Sequence, residues 1–116
     1  MNAVLLVSHG SKSAKARQEI DALTERLKAK TGLAIFECAF LELERPSIQE
    51  ALVSCVGKGA TRVTILLNFL NSGRHVLEDI PRIVREFETA HPAVACKVTP
   101  CVGAHPDIDR LYLDLI

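Results

Sequence analysis

Residues 61–81 have the sequence TRVTILLNFLNSGRHVLEDIP. The first part, Arg62–Leu67, is an apolar and partly β-branched run with the length of a buried strand. A polar break that contains Gly73 follows, and after it apolar residues recur at helical spacing. Pro81 fits such a helix only near its first turn. The segment therefore predicts a strand, a turn and a helix, with His75 in the turn at the carboxyl end of the strand.

Similar strand–helix units occupy the rest of the chain. Strands are predicted at residues 3–8, 33–41, 62–67 and 94–99, and helices at about 13–30, 46–56, 76–90 and 107–116. Strands that alternate with helices predict an α/β fold with three layers, an open four-stranded parallel sheet with helices on both faces. Right-handed crossovers favour a flavodoxin-like strand order such as 2-1-3-4, which the sequence alone does not establish.

The sequence predicts further details of three helices. In the first helix, Ile20, Leu23 and Leu27 are expected to form the stripe that faces the sheet. In the second helix, Pro46 is expected in the first turn, where its missing N–H costs little. The last helix carries apolar residues in more than one direction, so one face cannot bury all of Leu111, Tyr112, Leu113, Leu115 and Ile116.

The composition predicts one ordinary globular domain, residues 1–116, with a modest core. Fourteen basic and fourteen acidic residues cancel, which argues against a nucleic-acid partner and against an anionic membrane surface. No apolar run approaches the roughly 20 residues that cross a bilayer, and the first residues resemble a strand rather than a signal peptide. Four cysteines without a CxxC pair predict reduced thiols in a cytoplasmic protein, although Cys96 and Cys101 could bridge a strand end.

Polar residues follow each predicted strand. His9 follows the first strand, Glu42 and Glu44 the second, His75 the third and His105 the fourth. In a parallel sheet these turns lie at one edge, where open α/β folds bind ligands. Imidazole and carboxylate groups suit divalent iron, cobalt, nickel and zinc. The pattern predicts a metal site at this edge, although a histidine in a turn can equally be a surface residue or a local hydrogen-bond donor.

Other polar residues leave alternatives open. Glu42 could be a solvated surface charge, and His105 could simply begin the last helix. His91 lies at the opposite edge and is expected to have no role in a site there. Arg45 and Arg74 could pair with neighbouring glutamates, or they could bind substrate carboxylates in the bidentate manner of arginine.

Four motifs resemble those of one family. LLVSHGS near the start, FLELERPS after the second strand, NSGRHVLEDIP after the third and GAHPDI near the end are similar to the small, single-domain sirohydrochlorin chelatases. These are class II cobalto-, ferro- and nickelochelatases. The resemblance covers nearly the whole chain, and HGS together with GRHVxEDIP at this separation is specific. Asn68 departs from the proline with which many members enter the loop after the third strand.

The resemblance implies a chelatase-like half of a flavodoxin-like fold and an enzyme, a lyase. The implied reaction is the ATP-independent insertion of Co²⁺ or Fe²⁺ into sirohydrochlorin, in cobalamin or sirohaem biosynthesis. His9, His75 and Glu42 are implied as metal ligands and catalytic groups, with His9 as the proton acceptor. No cofactor is implied beyond the metal substrate, which is Co²⁺, Fe²⁺ or Ni²⁺. The residues implied to bind the tetrapyrrole are Ser11, through its backbone N–H, Arg45, Leu70, Asn71, Ser72, Gly73 and Arg74.

The size of the substrate adds an expectation about assembly. A four-stranded sheet offers a small crevice, whereas a tetrapyrrole is a wide disc, so a homodimer is expected to complete the cleft. Two other functions remain open. One is a non-enzymatic carrier of metal or tetrapyrrole, and the other is phosphoryl transfer like that of histidine phosphatases, which carry arginine where this chain has Ser8.

Overall fold

The computed structural model of the protein describes the backbone of residues 1–116 and every side chain except that of His75. Along this backbone, strands and α-helices alternate as β1 (Asn2–Ser8), α1 (Ala14–Thr31), β2 (Ile35–Phe40), α2 (Ile48–Gly57), β3 (Arg62–Leu67), α3 (Ile80–Ala90), β4 (Ala95–Cys101) and α4 (Ile108–Asp114). A turn of π-helix, His75–Asp79, leads into α3, and a turn of 3-10 helix, Val102–Ala104, follows β4. The predicted α/β class is confirmed.

The strands form a parallel sheet in the order β2-β1-β3-β4, which is the order that the crossover rule favoured. Strand β1 lies inside the sheet, where Ser8 pairs with Phe40 of β2 and Val7 pairs with Leu67 of β3. Leu67 in turn pairs with Cys101 of β4. The strands therefore end nearly level, and the loops that follow them emerge side by side at one edge of the sheet.

The main core lies on the sheet face that α2 and α3 cover. Leu5 and Ile65 of the sheet are fully buried there, together with Leu52 of α2 and Ile80 of α3. Successive strand residues point to opposite faces, so every second residue of β1 and β3 enters this core. This face holds the sheet together beneath the loops at its carboxyl edge.

The opposite face is covered less completely. Helix α1 packs mainly against β2, an edge strand, where the ring of Phe40 is buried. The predicted stripe of Ile20, Leu23 and Leu27 stays partly exposed, and the buried residue of α1 is Thr24. The three residues lie on the less exposed face of α1, as predicted, but this face is only partly buried because α1 packs against an edge strand.

Helix α2 begins with a capping box. The Ser47 hydroxyl accepts a hydrogen bond from the Glu50 N–H at 3.1 Å, and the Glu50 carboxylate accepts one from the Ser47 N–H at 2.9 Å. This cap starts the helix at Ile48, so Pro46 precedes the first turn in which it was predicted. The guanidinium of Arg45 binds the same carboxylate, and with the Ser47 N–H it lowers the pKa of Glu50 to about 2.

The helical segment after β3 accommodates Pro81 near its start, as predicted. The π-helical turn His75–Asp79 comes first, and Pro81 lies in the first turn of α3. Proline inside a regular α-helix would remove a backbone hydrogen bond and clash with a carbonyl, so the change of helix type at this point avoids both. Val84 and Phe87 lie on the inner face of α3, which packs against the core.

The four cysteines are free thiols, as predicted. Cys55 and Cys101 are buried, whereas Cys38 and Cys96 are partly exposed on the strands. Burial raises the pKa of Cys55 to about 12 and that of Cys96 to about 11. Protonated thiols are poor nucleophiles, so Cys55 and Cys96 act as packing residues.

Helix α4 rests mainly on the turn Val102–Ala104, and none of its residues is buried. The large apolar side chains exposed on it and just after it are Leu111, Tyr112, Leu113, Leu115 and Ile116. In the part of the chain that the structure describes, no helix combines the length and apolar character needed to cross a membrane.

Leu52→Ala should lower the free energy of unfolding by about 2–5 kcal/mol, because removing a fully buried leucine leaves a cavity in the core. Leu52 is 0% exposed, whereas Val53, the next residue of α2, is 57% exposed. The matched control Val53→Ala should change the free energy of unfolding by less than about 0.5 kcal/mol. Urea denaturation measures both variants, and equal midpoints would contradict the inner face assigned to α2.

Candidate active site

Two of the residues singled out from the sequence meet at the carboxyl edge of the sheet. The Nε2 atom of His9 lies 2.6 Å from the Oε1 atom of Glu42. Both side chains are about half exposed, at 53% and 51%. The pair is therefore a hydrogen-bonded imidazole and carboxylate that solvent and a ligand can reach.

The backbone explains why these two side chains meet. Beyond the last paired residues of β1 and β2, the Leu41 N–H donates to the Ser8 carbonyl at 2.9 Å, and the Glu42 N–H donates to the His9 carbonyl at 3.0 Å. Gly10 has a φ of +106°, and a Cβ atom there would lie 1.8 Å from the Glu42 carbonyl oxygen. Only glycine allows this approach, so the sequence His9-Gly10 is what lets the two loops touch.

The Glu42 and Glu44 carboxylates lie in different surroundings. The Glu44 side chain is only 13% exposed and points towards α1, where Arg17 Nη1 lies 3.5 Å from its Oε1. Its Oε2 accepts a hydrogen bond from the Ser11 N–H at 2.8 Å. The Ser11 N–H is thus engaged by a protein carboxylate, in the place where a substrate carboxylate was expected.

Arg45 also has a protein partner. Its guanidinium pairs with Glu50 of the α2 cap, while 85% of its side chain is exposed. Of the two alternatives left open for Arg45, pairing with a neighbouring glutamate is the one that the structure shows. A substrate carboxylate could bind Arg45 only in addition to Glu50 or in exchange for it.

The loop after β3 is held at its start and open at its tip. Asn68 donates from its backbone N–H to the Val7 carbonyl at 2.8 Å and from Nδ2 to the Ser8 hydroxyl at 3.0 Å. Gly103 packs against the loop, and a Cβ atom there would lie 1.8 Å from the Leu70 carbonyl oxygen. The exposed residues at the tip are Leu70, Asn71, Ser72, Gly73 and Arg74. Asn68 therefore takes over an anchoring function that the sequence did not indicate.

The structure gives different amounts of information about the other three histidines. The side chain of His75 lies outside the described residues, and its backbone begins the π-helical turn. His105 accepts a hydrogen bond at Nδ1 from the Asp107 N–H at 3.0 Å, so it lies at the start of α4, as its simpler interpretation predicted. His91 stacks on Phe87 with ring centroids 4.1 Å apart and lies at the opposite edge, where it was predicted to lie.

The surface around the pair is open. Among the described side chains, no group of three or more His, Cys, Asp or Glu residues could hold a metal ion. An apolar cavity of about 460 Å³ lies between α4 and the sheet, and a cavity of about 530 Å³ with mixed polar and apolar lining lies at the amino ends of the strands. Neither is lined by His9 or Glu42. The pair thus offers two donors on an exposed surface rather than an enclosed pocket.

Gly10→Ala should destabilise the protein more than Gly32→Ala does. Both glycines have positive φ values, +106° and +70°, so both substitutions carry backbone strain of about 1–2 kcal/mol. A Cβ atom at Gly32 meets nothing within 4 Å, whereas at Gly10 it meets the Glu42 carbonyl. The clash should add about 1–3 kcal/mol. Thermal denaturation compares the two variants, and indistinguishable midpoints would mean that the loops do not touch.

Comparisons with known proteins identify similar sequences and folds. The family model described as CbiX matches residues 3–116. The chain is 32% identical over 115 residues to a chloroplastic sirohydrochlorin ferrochelatase of Arabidopsis thaliana, which is 99% of this chain and 49% of that protein. It is 28% identical over 116 residues to a sirohydrochlorin cobaltochelatase of Methanosarcina barkeri, covering 97% of this chain and 89% of that protein.

Among solved structures, the sirohydrochlorin chelatase SirB of Bacillus subtilis subspecies spizizenii in complex with cobalt has the same fold. The TM-score is 0.87 at 30% identity, over 98% of this chain and 49% of that one. The chain thus spans about half the length of the plant relative and of this bacterial structure. Since the family model covers nearly all of the sequence and the fold agrees, the chain belongs to the CbiX family.

Proposed function

We propose that this chain takes part in the insertion of a divalent metal ion, Co²⁺ or Fe²⁺, into sirohydrochlorin or a similar tetrapyrrole. The observation that carries the proposal is the contact of 2.6 Å between His9 and Glu42 on an open edge of the sheet. Membership of the CbiX family and relatives named sirohydrochlorin chelatases support it. The proposed reaction uses no nucleotide and no cofactor beyond the metal substrate.

The chemistry of the pair suits such a reaction. Metal insertion requires two pyrrole N–H protons to leave while the metal exchanges water for ring nitrogens. A neutral imidazole accepts a proton or binds a metal through the same lone pair, and the Glu42 carboxylate orients the His9 ring and balances the charge that develops on it. We assign His9 first as a metal ligand, with Glu42 and His75 as the further ligands, and then as the acceptor of one pyrrole proton once the metal has left its lone pair. The second proton passes to solvent water, which reaches the half-exposed pair.

The imidazole and carboxylate ligands limit the choice of metal ion but do not select a single one. Imidazole and carboxylate bind the divalent ions from iron to zinc, and affinity follows the general series of these metals. The relatives include proteins named ferrochelatase and cobaltochelatase, at 32% and 28% identity. We therefore propose iron or cobalt, with nickel as a third possibility, and expect metal supply to decide among them.

Exposed leucines would provide contacts for the macrocycle. Leu43, Leu70 and Leu77 stand on or next to the loops of this edge and are 60%, 59% and 65% exposed. Apolar side chains held on the surface in this way suit a flat ring with an apolar face. Arg74 beside them is a candidate partner for the carboxylates of the ring.

We further propose that a second copy of the chain completes the cleft. One copy presents His9 and Glu42 on an open surface, and a tetrapyrrole needs a wall on each side. The apolar residues of α4 stay exposed in a single copy, which supports an interface that includes them. A stable interface would bury on the order of 1,200–2,000 Å² in total.

His9→Ala should abolish turnover of excess sirohydrochlorin and Co²⁺ or Fe²⁺, because it removes both the proton acceptor and a metal ligand. The matched control is His105→Ala, which removes an imidazole from the same edge and should keep at least about half of the activity. Absorbance of the tetrapyrrole follows the reaction. A wild-type protein that binds one equivalent and never turns over would instead identify a carrier.

Light scattering at micromolar concentration should give about twice the 12.7 kDa mass of the chain. Leu113→Glu, at a side chain that is 65% exposed, should shift the mass towards that of a monomer, because a buried unpaired carboxylate is costly at an interface. Val53→Glu on α2, at 57% exposure, is the control and should leave the mass unchanged. A monomer with full chelatase activity would refute the shared cleft.

A further inference from the structure

We propose that Arg17 is a positioning residue for the site. Through its contacts with the loop 41–45, it holds the turn that places the Glu42 carboxylate against His9. The inference builds on the proposed function, since it gives that function a supporting residue outside the reacting groups.

The loop 41–45 contains a strained turn. Leu43 has a φ of +68°, which a leucine rarely adopts, and the Glu44 N–H donates across it to the Glu42 carbonyl at 2.8 Å. These are the features of a γ-turn of the unfavourable hand. The Leu43 side chain is 60% exposed, so its burial does not compensate for the strain. Such a backbone persists only where contacts on both flanks fix it.

The first flank is fixed by the loop after β1. The hydrogen bond from the Glu42 N–H to the His9 carbonyl and the close approach at Gly10 hold the residue before the turn. The first contact fixes the Glu42 N–H, whereas the Glu42 carbonyl also accepts the Glu44 N–H and so depends on the turn that follows. These contacts leave open the direction in which the chain departs after Leu43.

The second flank is fixed by Arg17. Its Nη1 donates to the Arg45 carbonyl at 2.8 Å and lies 3.5 Å from Oε1 of Glu44. The Glu44 carboxylate is 13% exposed, and its other oxygen accepts the Ser11 N–H. One guanidinium therefore contacts two successive residues after the turn, which a single ammonium on a flexible stem would hold less rigidly.

Arg17 is itself held in place. Its Nε donates to Asp21 at 3.1 Å, one helical turn further along α1. Its guanidinium lies over the ring of Phe40, 4.8 Å from the ring centroid, and this ring is buried. The side chain is 35% exposed. Contacts with α1, with the Phe40 ring and with the loop fix the Arg17 guanidinium. The position of the turn therefore depends on the position of α1.

The two ends of the loop are joined by a hydrogen bond that does not involve Arg17. The Phe40 N–H donates to the Pro46 carbonyl at 2.9 Å, and Ser47 starts α2 with its own cap. Removing the guanidinium should therefore free the segment between Glu42 and Arg45 and leave the sheet and α2 intact. We expect the Glu42 carboxylate to move away from His9 in a protein that is still folded.

The test compares Arg17→Met with Arg26→Met, which removes the same charge from an exposed position of the same helix. In Arg17→Met, kcat for metal insertion should fall by about 10-fold to 100-fold, the usual effect of losing a group that orients a ligand. KM for the tetrapyrrole should stay within about twofold, because Arg17 does not contact substrate in this proposal. Arg26→Met should match the wild type in both.

A second readout does not depend on turnover. The ring nitrogen signals of His9 in an NMR spectrum of ¹⁵N-histidine protein report its hydrogen bond to Glu42. They should shift in Arg17→Met, while the signals of His91 at the opposite edge stay in place. If the wild type inserts no metal, the proposed function fails, and this spectrum still decides whether Arg17 positions the pair.

Glu44→Gln provides the variant that keeps the proposal testable if Arg17→Met does not fold. It removes the ion pair with Arg17 and keeps an acceptor for the Ser11 N–H, so it should shift the His9 signals in the same direction. In a double-mutant cycle the effects of the two substitutions on kcat should be less than additive. Unmoved His9 signals in a folded Arg17→Met protein, with kcat lowered or not, would overturn the proposal.

Discussion

The site depends on the parallel pairing of β1 with a strand on each side. Because Ser8 and Phe40 are level, the two chains continue to hydrogen-bond for two residues beyond the sheet. This extension brings His9 and Glu42 into contact. A slip of one residue in either strand would turn every side chain to the other face and separate the pair. The buried core beneath the sheet fixes the register, so the hydrophobic packing and the geometry of the site have the same origin.

The sequence was sufficient for the fold and for the edge at which the site lies. Alternating strands and helices predict a parallel sheet, and a parallel sheet collects the residues that follow its strands. The sequence could not decide between Glu42 and Glu44. Residues two apart in an extended chain point the same way, but the turn at Leu43 sends these carboxylates in different directions. Nothing about a leucine indicates a positive φ.

Other features escaped the sequence because they depend on tertiary contacts. Arg17 looks like an ordinary charge on a surface helix, and its spacing to Asp21 indicates only a pair within α1. Its contact with the loop after β2 becomes visible only when the helix lies over Phe40. Asn68 departs from the motif of the family that the sequence resembles, and its side-chain amide holds the loop to the end of β1. In both cases a polar group supplies a restraint that periodicity cannot show.

Helix α1 has a further consequence for the tolerance of the protein to change. Its 18 residues contain one buried side chain, Thr24, and its contacts with the site come from Arg17 in its first turns. Because the side chains after Thr24 are mostly exposed, we expect these turns to open locally while the sheet stays closed, whereas the amide hydrogens of β1 should exchange only when the whole domain opens. Substitutions in those last turns are therefore expected to leave the edge of the sheet largely unaffected.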